Sequence, residues 1–135
     1  MPQPLTRARP ELALAGLALG LALAACGGGA AASAGTPGPQ PSGAIAVEAK
    51  EYSFTPSTIT MTAGSVTFSI HNGGNEEHEF EILQGDVTVD EIEGIVPGLT
   101  KTLTKDLAAG EYTFQCALNG HDQLGMKGTL TVTAG

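Results

Sequence analysis

The chain has 135 residues and carries 14 acidic against 6 basic side chains, for a formal net charge of −8. That length allows about one modest domain, and the acidity excludes the basic footprint on which nucleic acid binding depends. There is no tryptophan, and the only cysteines are two, so the Cys…Trp…Cys pattern of immunoglobulin domains is excluded as well.

In chain order, Arg7 and Arg9 precede "LALAGLALGLALAA" (12–25), an unbroken apolar run of 14 residues. The run is too short to cross a bilayer and suits the core of an export signal spanning 1–25. It ends in "LAAC", Leu23 to Cys26, which resembles the lipobox of bacterial lipoproteins. That resemblance implies that Cys26 is lipidated, opens the mature chain and anchors an exported protein to a membrane, facing the periplasm or the cell exterior. Residues 27–43, "GGGAAASAGTPGPQPSG", hold no charge and no aromatic ring. Such a composition buries too little apolar surface to fold, so 26–43 is expected to be a lipidated cysteine followed by a flexible tether. Its seventeen tether residues reach about 55 Å when fully stretched.

The remaining stretch, 44–135, holds four lysines, no arginine and thirteen acids, a formal charge of about −9. It reads as strands throughout. "AIAVEAKEYSF" (44–54) is a first strand, interrupted by Pro56. "TITMTAGSVTFSIHN" (58–72) gives two short strands bent at Ala63–Gly64. "NGGNEE" (72–77) is a loop. "HEFEIL" (78–83) alternates, with His78, Phe80 and Ile82 on one face. Residues 84–98 are less regular and accommodate a short strand or a helical turn. "TKTLTKDL" (100–107) is a further strand, "AAG" (108–110) a turn, "EYTFQC" (111–116) a strand with Tyr112, Phe114 and Cys116 on one face, and "KGTLTVTA" (127–134) the closing strand. Seven or eight short strands at this spacing predict an all-β fold: an antiparallel Greek-key β-sandwich.

The same alternation locates a constellation of donors. Cys116 shares the core face of its strand with Tyr112 and Phe114, and His78 shares the core face of its own with Phe80 and Ile82. His78 opens its strand and Cys116 closes its own, so antiparallel neighbours would bring the two to one pole of the sandwich. His121 and Met126 follow on the next loop, "CALNGHDQLGM" (116–126). A thiolate with two imidazoles and a weak axial thioether is the blue-copper donor set. Zinc also accepts Cys and His ligands, but methionine is a poor ligand for it. With Cys26 lipidated, Cys116 is the one remaining thiol, either inert in the core or a metal ligand. His71, before Asn-Gly, reads as a turn or surface residue, Met61 as packing, and the "EEHE" cluster (76–79) as a solvated face.

On these residues the resemblance is to the cupredoxins. "GEYTFQCALNGHDQLGMKGTLTV" (110–132) is similar to their C-terminal copper-binding region, and "HEFEI" (78–82) resembles the upstream histidine strand. The resemblance implies one mononuclear type 1 copper ion held by His78, Cys116, His121 and Met126, with His121 as the electron exit. Relatives commonly place Asn or Ser after the first histidine and a hydroxyl residue after the cysteine; Glu79 and Ala117 stand there instead. Asn119-Gly120-His121 replaces the frequent Pro-Gly-His and suggests a looser loop. The resulting expectation is a monomeric, membrane-tethered electron carrier, not an enzyme. Its partners would be a cytochrome or membrane oxidoreductase, with a basic docking surface. A copper carrier or buffer without an electron-transfer role, and a metal-free interaction module, are the alternatives.

Overall fold

The computed structural model describes residues 42–135. The expected export signal 1–25, the lipidated Cys26 and nearly all of the 26–43 tether lie outside the described residues. Short runs of branched and aromatic residues alternating with Thr, Lys and Glu have both the propensity and the periodicity of half-buried strands. Among the described residues they form nine: β1 (Ile45–Lys50), β2 (Ser53–Thr55), β3 (Thr58–Thr62), β4 (Gly64–Asn72), β5 (His78–Gln84), β6 (Val87–Ile95), β7 (Thr100–Leu107), β8 (Gly110–Gln115) and β9 (Lys127–Thr133). A 3₁₀ segment, Leu118–Leu124, fills the gap between β8 and β9.

The strands build two sheets, ordered β2-β1-β4-β7 and β3-β9-β8-β5-β6. The sandwich is the one expected, but its pairing is mixed. β1 runs parallel to β4, from Ile45 opposite Phe68 to Ala49 opposite Asn72, and β3 runs parallel to β9. The cause is the bend at Ala63. β3 and β4 are consecutive, yet the chain changes sheet between them, so each pairs with a strand remote in sequence. The backbone N–H of Ala63 donates to the Thr133 carbonyl at 2.8 Å as the chain crosses over.

Two further elements differ from expectation. The first strand is split: after β1 the chain turns at Glu51–Tyr52, and β2 folds back antiparallel onto β1. Residues 84–98 hold one continuous strand, β6, at the open edge of the five-stranded sheet. Its sequence is irregular because an edge strand is exposed over much of both faces. Asp90, Glu91 and Glu93 place charge there, which discourages edge-to-edge pairing with another chain.

Between the sheets lie all four phenylalanines of the chain. Phe54 meets Phe80 and Phe114 at ring-centroid distances of 5.5 Å, Phe80 meets Phe114 at 5.2 Å, and Phe68 meets Phe80 at 5.4 Å. Each fully buried side chain of this kind contributes roughly 1.5–3 kcal/mol. Phe80 and Phe114 sit two residues inside His78 and Cys116, so this aromatic cluster is also the floor of the donor pole.

Gly128, at the start of β9, lets that strand approach the floor. A Cβ added there would fall on the Phe114 ring and the Ser57 carbonyl. Gly128→Ala is therefore expected to overpack the sandwich and lower the stability of the metal-free chain by about 1–3 kcal/mol in urea unfolding.

Candidate metal centre

The register of β5 with β8 sets the site. Glu81 lies opposite Gln115 and Ile82 opposite Phe114, which aligns the first residues of β5 with the chain just beyond the end of β8. A bulge in the β5–β6 ladder between His78 and Phe80 re-aims the strand at this end. Beyond β8, the 3₁₀ segment returns His121 to the same pole. Asn119 and Gly120 adopt left-handed backbone conformations there, at φ 53° and 77°.

Three sequence-predicted donors come together. His78, Cys116 and His121 offer ligand atoms that all lie within 4.8 Å of one another. The two Nδ1 atoms are 3.3 Å apart, and Cys116 Sγ is 3.5 Å from His121 Nδ1. A metal bonded at about 2.0 Å to nitrogen and 2.3 Å to sulfur, with angles of 110–120°, separates its ligands by roughly 3.3–3.5 Å (N to N) and 3.5–3.7 Å (S to N). The spacing and the chemistry of the donors therefore fit one ion. His78 and Cys116 are fully buried and His121 is 2% exposed. Met126 is also fully buried and is tied to two of the three through the backbone: its carbonyl accepts from Cys116 N–H, and its own N–H donates to the His121 carbonyl, both at 3.0 Å.

The loop is closed on itself by backbone hydrogen bonds. Besides the two Met126 bonds, Gly120 N–H donates to the Ala117 carbonyl and Gly125 N–H to the Asp122 carbonyl, each at 3.1 Å. Glu79 supplies the cross-link expected of the missing Asn–hydroxyl pair. Its carboxylate accepts from Ala117 N–H at 2.7 Å, while its backbone N–H points at Cys116 Sγ at 3.4 Å.

The outer nitrogens of both imidazoles face carboxylates. His121 Nε2 lies 3.0 Å from Glu76 Oε2. His78 Nε2 lies 3.6 Å from Glu51 Oε1, an electrostatic contact too long for a hydrogen bond, and it has no hydrogen-bond partner. Glu51 Oε1 accepts from the backbone N–H groups of Glu76 (2.7 Å) and Asn75 (2.5 Å). The Glu76 amide in particular holds the Glu51 carboxyl below the usual carboxylate range. The "EEHE" segment is thus more than a solvated face, and Glu51 was not apparent as a site residue. His121, which the resemblance implies as the electron exit, is flanked at its outer edge by Glu76 and by the Tyr52 ring, whose centroid is 4.9 Å away.

His71 does not join the centre. The parallel register sets Glu48 opposite it, and His71 Nδ1 lies 2.7 Å from Glu48 Oε2, with the residue only 6% exposed. It is a buried paired histidine and not a surface turn. Met61 packs against the core, as expected.

Burial sets the protonation of the donors. It pushes the Cys116 thiol up, so the metal-free chain holds it protonated at neutral pH. It pushes His78 down, against the opposing pull of Glu51, leaving a neutral imidazole ready to coordinate.

A buried thiol flanked by two imidazoles at one pole of a mixed β-sandwich defines the copper-protein class with this fold. Residues 16–132 match the family model described as a cupredoxin-like domain, and the chain belongs to that family. The family and the His–Cys–His donor set define a site for one mononuclear copper ion. The chain is similar to the iron uptake system component EfeO of Yersinia pseudotuberculosis, at 36% identity over 91 residues, covering 67% of this chain and 23% of that protein. It thus spans about a quarter of the length of the curated relatives it matches. Among solved structures, reduced auracyanin from Roseiflexus castenholzii shares the fold at TM-score 0.62 and 21% identity, covering 68% of this chain and 98% of that one. Auracyanin A of Chloroflexus aurantiacus does so at TM-score 0.62 and 22% identity, covering 67% and 98%.

Two outcomes are expected. Because the folded chain binds protons at His78 less readily than the unfolded chain does, stability present above the unfolded imidazole pKa of about 6.5 is lost as pH falls below it. Urea unfolding of the metal-free chain from pH 7.5 to 5 will show that fall, and His78→Gln will flatten it. Glu79→Ala will lower stability by about 1–3 kcal/mol and speed amide hydrogen exchange at Ala117.

Proposed function

We propose that this domain carries single electrons between redox partners outside the cytoplasm, through one copper ion held by His78, Cys116, His121 and Met126. The observation that carries the reading is the spacing of three buried donors at metal-bonding separations, His78 from β5 with Cys116 and His121 from a loop closed by its own hydrogen bonds. When bound, copper would supply reversible one-electron chemistry between its two oxidation states. The protein residues do the rest. The apolar floor of Phe80 and Phe114 excludes water, the Glu79–Ala117 bond keeps the cysteine loop on the histidine strand, and the Met126 backbone bonds hold the loop closed. Donors that need not move when charge changes keep reorganisation small, which suits electron transfer and not the reversible release a copper carrier requires.

Export and tethering complete the proposal. Cys26 would bear the lipid, and residues 27–43 would let the domain sample partners near the membrane. The acidic domain would dock transiently on a basic partner surface, an encounter weakened by salt. The carrying of electrons requires no substrate chemistry of its own, so the domain would act as a partner of enzymes.

A second reading comes from the EfeO relatives, at 36% identity. Under it, the electron exchanged belongs to iron handled during uptake: ferrous iron loses one electron and the oxidised domain gains it. Anaerobic mixing of the oxidised domain with ferrous iron would bleach its colour stoichiometrically if so, and leave it unchanged if not.

The direct test is to add Cu(II) to the full chain. An intense visible band from thiolate-to-copper charge transfer is expected, and it should vanish in Cys116→Ser. A colourless protein that binds copper equally well with and without Cys116 would overturn the proposal.

A further inference from the structure

Resting on the copper reading above, we infer that Glu51 and Glu76 are positioning residues that act on the centre through the outer nitrogens of its two histidines, and that they bias it toward the oxidised state. Each imidazole turns Nδ1 inward, where the two atoms lie 3.3 Å apart. Each turns Nε2 outward to a carboxylate, His121 to Glu76 at 3.0 Å and His78 to Glu51 at 3.6 Å. At hydrogen-bond distance, the Glu76 carboxylate draws the His121 ring proton to Nε2, leaves the Nδ1 lone pair for the metal and strengthens it as a donor. Glu51, too far from His78 Nε2 to accept a hydrogen bond, acts on that ring through its charge alone.

Glu76 is held in place and is not a stray surface acid. Glu51 reaches from the β1–β2 turn and accepts the backbone N–H groups of Asn75 and Glu76. From the other side Asn72, fully buried, donates from Nδ2 to the carbonyls of Glu76 (2.7 Å) and Ile95 (2.6 Å), and accepts Gly74 N–H at 2.9 Å. The Glu76 peptide is therefore pinned at both its N–H and its C=O. One carboxylate thus faces His78 and builds the loop, and the second, carried on that loop, caps His121.

The electrostatic consequence has a definite sign. Two negative charges beside the ligands stabilise the more highly charged ion, so they favour Cu(II) over Cu(I) and make the domain a better electron donor. Glu76 is half exposed (side chain 49%), so solvent screens much of its effect.

The test compares the full chain with Glu76→Gln and Glu51→Gln, which keep the size and lose the charge, and with Glu77→Gln, which neutralises an exposed carboxylate one residue further along the same loop. Glu76→Gln is expected to raise the preference for Cu(I) over Cu(II) on the order of tenfold, about 59 mV in a one-electron potential. Glu51→Gln should shift it in the same direction, and Glu77→Gln by much less. In the Cu(I) form, the Nε2 proton of His121 should be seen by NMR in the unsubstituted chain and exchange faster in Glu76→Gln. An intact visible band with equal potentials in Glu76→Gln and Glu77→Gln would overturn this inference alone. Absence of the band in the unsubstituted chain would overturn the copper reading and this inference with it.

Discussion

The antiparallel register between β5 and β8 is the constraint on which the site depends. With Glu81 opposite Gln115, the first residues of β5 and the chain just beyond the end of β8 lie side by side at one end of the sandwich. The phenylalanines two residues inward, Phe80 and Phe114, lock that register by packing against each other and against Phe54. A one-residue slip of β5 against β8 would leave Cys116 and Phe114 facing the core and turn His78 and Phe80 to solvent, so the donors would part. The hydrophobic core and the donor pole are thus specified by the same alternation, and one cannot shift without the other.

Around that fixed pair, the remaining parts close the pole by hydrogen bonds. Met126 joins the far end of the loop to both Cys116 and His121 through its backbone. Glu79 bridges from the histidine strand to Ala117. Glu51 and Asn72 bond backbone groups of the loop that carries Glu76, and Glu76 in turn reaches the outer nitrogen of His121. The result is a dry inner layer of two nitrogens and a sulfur, inside an acidic outer layer. The two layers have different work: the inner one determines which metal is held, and the outer one shapes the charge that metal experiences.

Much of this was legible in the sequence because the relevant pattern is local. Period-two alternation in "HEFEIL" and "EYTFQC" fixes which face His78 and Cys116 occupy, and the short loop after Cys116 leaves His121 and Met126 little choice of place. What was not legible depends on pairing between remote strands. Nothing local says that β1 lies parallel to β4, yet that register puts Glu48 against His71 and buries a histidine that reads as a turn residue. Glu51 reaches His78 only because the β1–β2 turn stands at the same pole as β5, and Asn72 in "HNGG" looks like ordinary turn chemistry until its side chain is seen spanning two carbonyls. Residues 84–98 read equally as a short strand or a helical turn, because exposure on both faces of the edge strand β6 erases the alternation that marks a strand. Glu79 was visible as a departure from relatives, but its side-chain bond to a backbone N–H replaces the absent hydroxyl in a way no residue list reveals.

X-ray absorption at the copper edge of the loaded chain tests the central claim most directly. The account predicts one short sulfur and two imidazole nitrogens around a single copper, with the sulfur lost in Cys116→Ser and one imidazole lost in His78→Gln. Copper surrounded by oxygen scatterers, with a spectrum indifferent to both substitutions, would contradict it.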